Sequence, residues 1–216
     1  TAARLQVTRA NLSANVVQNC PRGFHIFNGD DINISGGIFD GCGGTSLEEI
    51  EVETGTNCNA VGVLVLNSAS TSACLKGLDN VKNCHIERAS PSLPENCIFW
   101  CDNVIGCVLD GGITPGSSAV GGIIANNVIS WNDTGAAGSA PGINIGANND
   151  DYVISGNSID LSGATNNQYC INIASGATDT VIVGNRLKSK TAGVANSIND
   201  NGTNTLADMT AANKTT

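Results

Sequence analysis

Short apolar runs recur along the chain with one internal order. "DDYVISGNSIDLSG" at 150–163 and "TDTVIVGNRLK" at 178–188 both place an aliphatic residue two positions before Gly-Asn and another apolar residue two positions after it. "CDNVIGCVLDG" and "LDNVKNCHIER" follow a similar order. Apolar and polar residues alternate over only a few positions, which is typical of short, half-buried β-strands.

Six copies of this motif align without gaps. We take the last apolar residue of each copy as its anchor, which gives Phe39, Ile86, Leu109, Ile129, Ile159 and Leu187. An aliphatic residue lies five positions before every anchor, and Gly or Asn lies three positions before it. Because Gly and Asn adopt positive φ at low cost, the motif predicts a strand, a tight turn and a second strand.

The position two residues before the anchor predicts an internal ladder. Small residues occupy it, among them Cys84, Cys107, Asn127, Asn157 and Asn185. Asn side chains stacked at a bend hydrogen-bond through their amides and satisfy backbone groups that the bend leaves unpaired. Cys is small enough to replace Asn but gives up most of its hydrogen bonding.

The intervals between anchors are typical of a solenoid. They range from 20 to 47 residues, and further short β runs such as "GFHIF", "CIFW" and "CINI" precede most motifs. The longest interval contains "GGTSLEEIEVETGTNCNA", interpreted as an inserted loop, with room for an extra coil at "GVLVL". We predict an all-β solenoid of about six to eight coils over 22–205, with a cap or linker at 1–21 and a tail or cap at 206–216.

Composition and charge narrow the class of protein. Only 13% of the residues are charged and 4% are aromatic, while 26 are Gly, which argues against a helical bundle. A formal net charge of −9 argues against a nucleic-acid partner, because phosphate binding needs clustered Lys and Arg. No apolar stretch is long enough to cross a bilayer, and no basic start precedes an apolar segment, so we expect neither a membrane partner nor a signal peptide.

Nine Cys residues occur without a CxxC pair. Zinc sites need closely spaced ligand pairs, so we predict no metal and no cofactor. Small buried thiols suit folding in a reducing cytosol.

The repeats "DDYVISGNSI" and "TDTVIVGNRL" resemble those of right-handed parallel β-helix proteins of the pectate-lyase-like superfamily. The closing stretch "TAGVANSINDNGTNT" is similar to the final coils of phage tail proteins. The resemblance covers nearly all of the chain and implies a right-handed parallel β-helix. Members of the tailspike group are usually homotrimers that bind, and often cleave, surface polysaccharide.

The function that this resemblance implies is attachment. We expect a virion-associated module of a tailspike or tail appendage that binds cell-surface polysaccharide, with or without glycan cleavage, as a homotrimer or with other virion proteins. The alternatives are an extracellular polysaccharide lyase or glycoside hydrolase, and a purely structural decoration module. Enzymatic activity is left open but is not the favoured expectation; if the protein is an enzyme, we expect polysaccharide degradation, with hydrolysis favoured over lyase chemistry.

Carboxylates that follow the anchors are the catalytic candidates. Glu87 and Asp110 fall on neighbouring coils, where one carboxyl could act as general acid and the other as nucleophile or base. Asp40 is the third candidate. The competing interpretation is an ordinary solvated face of an acidic rod.

A second set of Asp residues opens the motifs. These residues could form a calcium ladder, but Asp before a strand more often bonds its own backbone at a turn, and we favour the turn. They are Asp31, Asp79, Asp102, Asp151 and Asp179.

Exposed aromatic residues are the candidates for stacking on sugar rings. Trp131 and Tyr169 are the predicted ligand contacts, and Tyr152 is a further candidate. Trp131 fits simple packing of a loop equally well, and Trp100 alternates with Ile98 and fits either a ligand contact or the core. The lone histidines His25 and His85 are expected to be satisfied or surface residues. "EEIEVE" at 48–53 is expected to be a solvated loop.

Overall fold

The chain folds into stacked parallel strands. The computed structural model describes residues 3–44, 47–89, 96–116, 119–130, 141–162, 169–189, 197–207 and 214–215. Their strands form three sheets of nine strands each, and every strand pairs in parallel with its neighbours in the same sheet. The predicted all-β parallel β-helix is confirmed. One strand from each sheet makes one coil, numbered 1 to 9 from the amino terminus.

The strands follow one another in the order sheet A, sheet B, sheet C. Sheet A contains β1 (Ala3–Val7), β4 (Phe24–Gly29), β7 (Ile50–Val52), β10 (Leu75–Lys76), β13 (Asn96–Phe99), β16 (Gly112–Thr114), β19 (Ile143–Ile145), β22 (Ile171–Ile173) and β25 (Ile198–Asp200). Sheet B contains β2 (Ala10–Ser13), β5 (Ile32–Ser35), β8 (Asn59–Val61), β11 (Asn80–Lys82), β14 (Asn103–Ile105), β17 (Val120–Ala125), β20 (Asp150–Ser155), β23 (Val181–Val183) and β26 (Leu206–Ala207). Sheet C contains β3 (Val16–Gln18), β6 (Ile38–Asp40), β9 (Leu64–Ser68), β12 (His85–Arg88), β15 (Val108–Leu109), β18 (Val128–Ser130), β21 (Ser158–Asp160), β24 (Arg186–Lys188) and β27 (Lys214–Thr215).

The anchors form one inward column of sheet C. Neighbouring anchors pair directly, as Ile129 does with Ile159 and Ile159 with Leu187. All six are at most 1% exposed, so the column belongs to the core. Equivalent side chains stack about 4.8 Å apart along the coils, which lets aliphatic residues fill the interior with few aromatics.

The longest anchor interval contains a complete coil. β7, β8 and β9 contribute one strand to each sheet there, so the predicted inserted loop is wrong and the extra coil at "GVLVL" is confirmed. Val65 pairs with both Phe39 and Ile86 and continues the anchor column. Val63 replaces the Asn or Cys of the motif in this coil, which hid the coil from the alignment.

Residues at both ends also contribute strands. β1, β2 and β3 lie within 1–21 and extend the three sheets by one coil, and β26 and β27 lie within 206–216. Within the part of the chain that the structure describes, no helix is long and apolar enough to span a membrane.

Asn side chains form a ladder inside the solenoid. The Oδ1 atom of Asn157 accepts bonds from the backbone N–H and the side-chain amide of Asn127, at 3.0 and 2.9 Å. Asn185 does the same for Asn157. Each Asn also donates to a carbonyl of the preceding coil, as Asn157 does to Ile124 at 2.8 Å.

Two Cys residues continue this ladder. The backbone N–H of Cys107 donates to Asn127 Oδ1 at 2.9 Å, and the N–H of Cys84 lies 3.5 Å from Cys107 Sγ. All nine Cys are free thiols, and eight are buried, as the sequence predicts.

Candidate functional site

Charged residues line the outer face of sheet A in coils 2 to 4. His25, Glu51 and Lys76 occupy paired positions on β4, β7 and β10. Glu51 and His25 are only 5% and 7% exposed, although they lie on the outer face. Opposite charges on adjacent strands therefore screen one another from solvent.

Arg22 and Glu48 complete this charge cluster. Glu51 lies 2.8 Å from Lys76 Nζ and 3.1 Å from Arg22 Nη2, and Glu48 lies within 4 Å of both cations. Burial would raise the pKa of Glu51, but the hydrogen bond and charge of Lys76, followed by the charge of Arg22, outweigh it and lower that pKa. Glu51 is therefore ionised at neutral pH.

Both ring nitrogens of His25 take part in hydrogen bonds within the protein, which makes the cluster a charge network rather than a metal centre. His25, Glu51 and Glu53 bring ligand atoms within 4.8 Å of one another. Arg22 Nη1 lies 2.8 Å from His25 Nδ1, and because a guanidinium can only donate, Nδ1 must accept. The proton of the neutral ring is then on Nε2, where it is donated to Glu53 and leaves no lone pair for a metal.

Beside this cluster, the corner between sheets A and B is shortened in two coils. The length of this corner is counted from one column of paired residues in sheet A to one column in sheet B. It covers only residues 75–81 in coil 4 and 98–104 in coil 5, whereas it covers 50–60 in coil 3 and 113–124 in coil 6. The two short corners lie side by side and are recessed relative to the longer corner before them. The result is a notch of about 200 Å³.

The turn at the two short corners begins one residue earlier than in most other coils. Asp31, Asp151 and Asp179 have positive φ elsewhere, but in coils 4 and 5 the positive-φ residues are Gly77 and Trp100, one position earlier relative to the anchor. Leu78 and Cys101 consequently point into the core, each at most 1% exposed. The next residues, Asp79 and Asp102, line the notch.

Trp100 forms one side of the notch in a strained conformation. Its φ is +58°, which costs a bulky residue about 1–3 kcal/mol, and its side chain is 44% exposed. Phe99 stacks against the indole at 5.0 Å, and Lys76 Nζ lies 5.0 Å from the ring centre. Neighbouring side chains thus hold a strained aromatic at the surface instead of burying it.

Three carboxyl groups face this aromatic across the notch. Glu53 comes from the longer corner of coil 3, and Asp79 and Asp102 come from the floor. Partial burial, and then the charge of Asp79, raise the pKa of Asp102. Asp79 Oδ2 accepts a bond from the backbone N–H of Cys58 at 2.6 Å.

Tyr152 lies beneath the floor. It is fully buried, and among the described residues its hydroxyl has no hydrogen-bond partner. Burial raises the pKa of Tyr152, and the charge of Asp102 raises it further, which places the hydroxyl near that carboxyl. The ring packs against Gly122, where a Cβ would come within 2.4 Å of Tyr152.

The predicted catalytic residues lie on sheet C, away from the notch. Glu87 and Asp110 follow the paired anchors Ile86 and Leu109, so they are on neighbouring coils as expected. Glu87 is exposed, and the nearest cation to Asp110 is buried Arg88, at 4.0 Å. Their catalytic role stays a prediction.

Asp40 is separated from that pair by a coil. It pairs with Leu66 of coil 3, and its carboxylate accepts bonds from Asn67 at 3.0 Å and Gln18 at 3.4 Å. Coil 3 therefore lies between Asp40 and Glu87, and the catalytic role of Asp40 also stays a prediction.

The aromatic candidates are distributed over several places. Tyr169 is 39% exposed just before β22, and Trp131 lies outside the described residues. Trp100 is at the surface and Tyr152 is in the core. His85 is exposed.

The expectation of a solvated loop at 48–53 is wrong. The segment contains strand β7, and Glu48, Glu49 and Glu51 are each at most 5% exposed. Their acidity suggested solvation because the compensating cations, Arg22 and Lys76, are distant in sequence.

Residue spacing contained a signal for the notch. Asp79 and Asp102 lie seven residues before their anchors, whereas Asp31, Asp151 and Asp179 lie eight residues before theirs. This difference of one residue separates the carboxylates in the notch from the carboxylates at ordinary turns.

Comparisons of the chain with protein-family models, with curated proteins and with solved structures found no match.

Proposed function

We propose that the notch binds polysaccharide, with Trp100 as the surface on which a sugar ring stacks. The observation that supports this most strongly is an exposed indole held at positive φ beside carboxylates. Strained residues concentrate at ligand sites, and aromatic side chains supply large apolar contact with little loss of conformational freedom. The carboxylates of Asp79 and Glu53 are suited to accept hydrogen bonds from sugar hydroxyls.

The charge of the notch selects the class of polysaccharide. Three carboxyl groups line it, and the nearest cation, Lys76, is already ion-paired with Glu51. An acidic sugar would meet like charge there. The proposed ligand is therefore a neutral or amino-bearing glycan, not a uronic acid polymer.

The setting that we propose is attachment of a virion appendage to cell-surface polysaccharide. A solenoid of hydrogen-bonded coils around a stacked aliphatic core is a suitable support for such a site. Free buried thiols are compatible with assembly in a reducing cytosol before release. A homotrimer is part of this proposal, and sedimentation equilibrium of the purified chain tests it.

Binding of labelled protein to intact cells tests attachment. We expect binding that periodate oxidation of the cell-surface glycans removes and that Trp100→Ala reduces at least tenfold. Tyr169→Ala is tested in parallel as the competing site, since Tyr169 is an exposed aromatic away from the notch and was itself predicted to contact the ligand. Loss of binding in Tyr169→Ala but not in Trp100→Ala would exclude the notch as the binding site.

Glycoside hydrolysis is the second candidate. It is favoured by one observation, the pair of Asp79 and Asp102 on adjacent coils, in which Asp102 has a raised pKa. A raised pKa favours the protonated form of a carboxyl, which can donate to a leaving oxygen while a neighbouring carboxylate acts as base or nucleophile.

Release of reducing ends from neutral and amino-bearing polysaccharides tests hydrolysis. If the notch is catalytic, Asp102→Asn and Asp79→Asn each reduce the rate at least a hundredfold. Glu87→Gln and Asp110→Asn are tested in parallel, and loss of activity in those variants would place catalysis on sheet C instead. Absence of reducing ends with every polymer leaves attachment as the function.

A further inference from the structure

A column of surface Asn residues leads away from the notch along sheet B. The members occupy paired positions in five successive coils, so their amides project from the same face. They are Asn11, Asn33, Asn59, Asn80 and Asn103. The column spans four coil spacings of about 4.8 Å, or roughly 19 Å in total.

The amides in this column are only partly used by the protein. Asn59 donates to Asn33 at 3.1 Å, and Asn80 donates to Asn59 at 2.7 Å. Among the described residues, the side-chain nitrogen of Asn33 and the side-chain oxygen of Asn80 have no partner, so the column keeps both donors and acceptors available for a ligand.

A second groove lies at the far end of the same column. It has a volume of about 340 Å³ at the corner of coils 1 to 3, and its lining includes Arg9, Asp31, Asn33 and Asn57. Hydrogen bonds from Asn57 and Arg9 lower the pKa of Asp31, so this groove combines an anion, a cation and amides. The groove and the notch lie at opposite ends of the Asn column, on one side of the solenoid.

We propose that the glycan lies parallel to the solenoid axis, with one sugar residue over each of coils 1 to 5, from the second groove across the Asn column to Trp100. This inference rests on the proposed binding function and adds the direction and length of the bound segment. The coils are about 4.8 Å apart, roughly the length of one sugar ring, so successive sugars of an extended chain would lie over successive amides.

The alternative direction, around a coil, fits less well. A sugar chain that leaves the Asn column around a coil would cross the outward-facing residue that lies two positions after each Asn on sheet B. These positions hold Val61 in coil 3, which is 41% exposed, Lys82 in coil 4 and Ile105 in coil 5. A sugar chain wrapped around coil 3 or coil 5 would therefore leave the amides for an aliphatic side chain. Aliphatic side chains give sugar hydroxyls no hydrogen-bond partners.

Binding of β-1,4-linked glucosamine oligomers of two to seven residues, N-acetylated and deacetylated, tests this inference by calorimetry. We expect affinity to rise about threefold per residue up to five residues and then to remain constant. Binding that does not increase beyond two residues would overturn the axial direction but leave the notch in place. No binding by any oligomer would overturn the proposed class of glycan itself.

Paired variants locate the bound segment. Asn59→Ala is expected to weaken the pentamer about fivefold and leave the dimer unchanged. Asn172→Ala is the matched control, because Asn172 is the middle residue of another surface Asn column, in coils 7 to 9 on sheet A. Asn33→Ala serves as a second test variant if Asn59→Ala unfolds at lower temperature. Equal pentamer affinity in all three variants would overturn the proposed direction.

Discussion

Glu49 is the residue whose protonation should govern how stability depends on pH. It directly precedes β7, is fully buried, and accepts a hydrogen bond from Ser68 Oγ at 2.5 Å. Burial, and then the neighbouring thiol of Cys74, raise the pKa of Glu49 to about 10, although the Ser68 bond lowers it. The folded protein therefore holds this carboxyl protonated at neutral pH.

The free-energy cost of burying Glu49 follows from its pKa values in the unfolded chain and in the folded protein. Glu49 ionises near pH 4.5 in the unfolded chain and near 10 in the folded protein, so the folded state binds one more proton between these limits. Stability from this group is fully present below pH 4.5 and is lost at about 1.4 kcal/mol per pH unit as pH rises toward 10. At pH 7 the loss is roughly 3 kcal/mol.

Glu49→Gln removes this cost and keeps the shape of the side chain. Its Oε1 can still accept the Ser68 bond, and an amide does not ionise. We expect the variant to lie within about 1 kcal/mol of the wild type at pH 5 and to be roughly 3 kcal/mol more stable at pH 7.

Urea unfolding of both proteins from pH 5 to pH 8 measures this difference. Glu87→Gln is the control, since it removes an exposed carboxyl and should change little at any of these pH values. A difference between Glu49→Gln and the wild type that stays constant from pH 5 to pH 8 would refute the assignment of a buried, protonated Glu49.

Three further predictions concern the turns and the ladder. Trp100→Gly should be more stable than Trp100→Ala by about 1 kcal/mol, because only Gly adopts the +58° φ without strain, and equal urea midpoints would contradict that backbone geometry. Gly77→Ala should cost at least about 2 kcal/mol, because its Cβ would lie 1.9 Å from the Val52 carbonyl oxygen; an unchanged melting temperature would exclude this packing of the notch floor. Asn157→Ala should cost roughly 3 kcal/mol, because it leaves buried backbone groups unpaired, whereas Asn172→Ala, at a half-buried position with side-chain partners, should cost under about 1 kcal/mol; similar losses in the two variants would refute the internal ladder.

The fold was readable because its signal is local and repeated. Aliphatic residues five apart around a Gly or Asn turn recur in every anchor copy, and each copy predicts the same strand pair. The prediction failed where a coil departs from this pattern, as in coil 3, where Val63 fits the core but replaces the Gly, Cys or Asn that the other copies have at that position.

Sequence by itself therefore determined the strands, their turns and the inward column, because side-chain alternation and φ preferences act within a few residues. Tertiary structure alone decided which charges are buried and where the notch lies. Glu51 is buried because stacking brings Lys76 beside it, and Asp102 lines a notch because two short corners are adjacent to a longer one. Both depend on the register between coils, which joins residues more than twenty positions apart and which no single segment encodes.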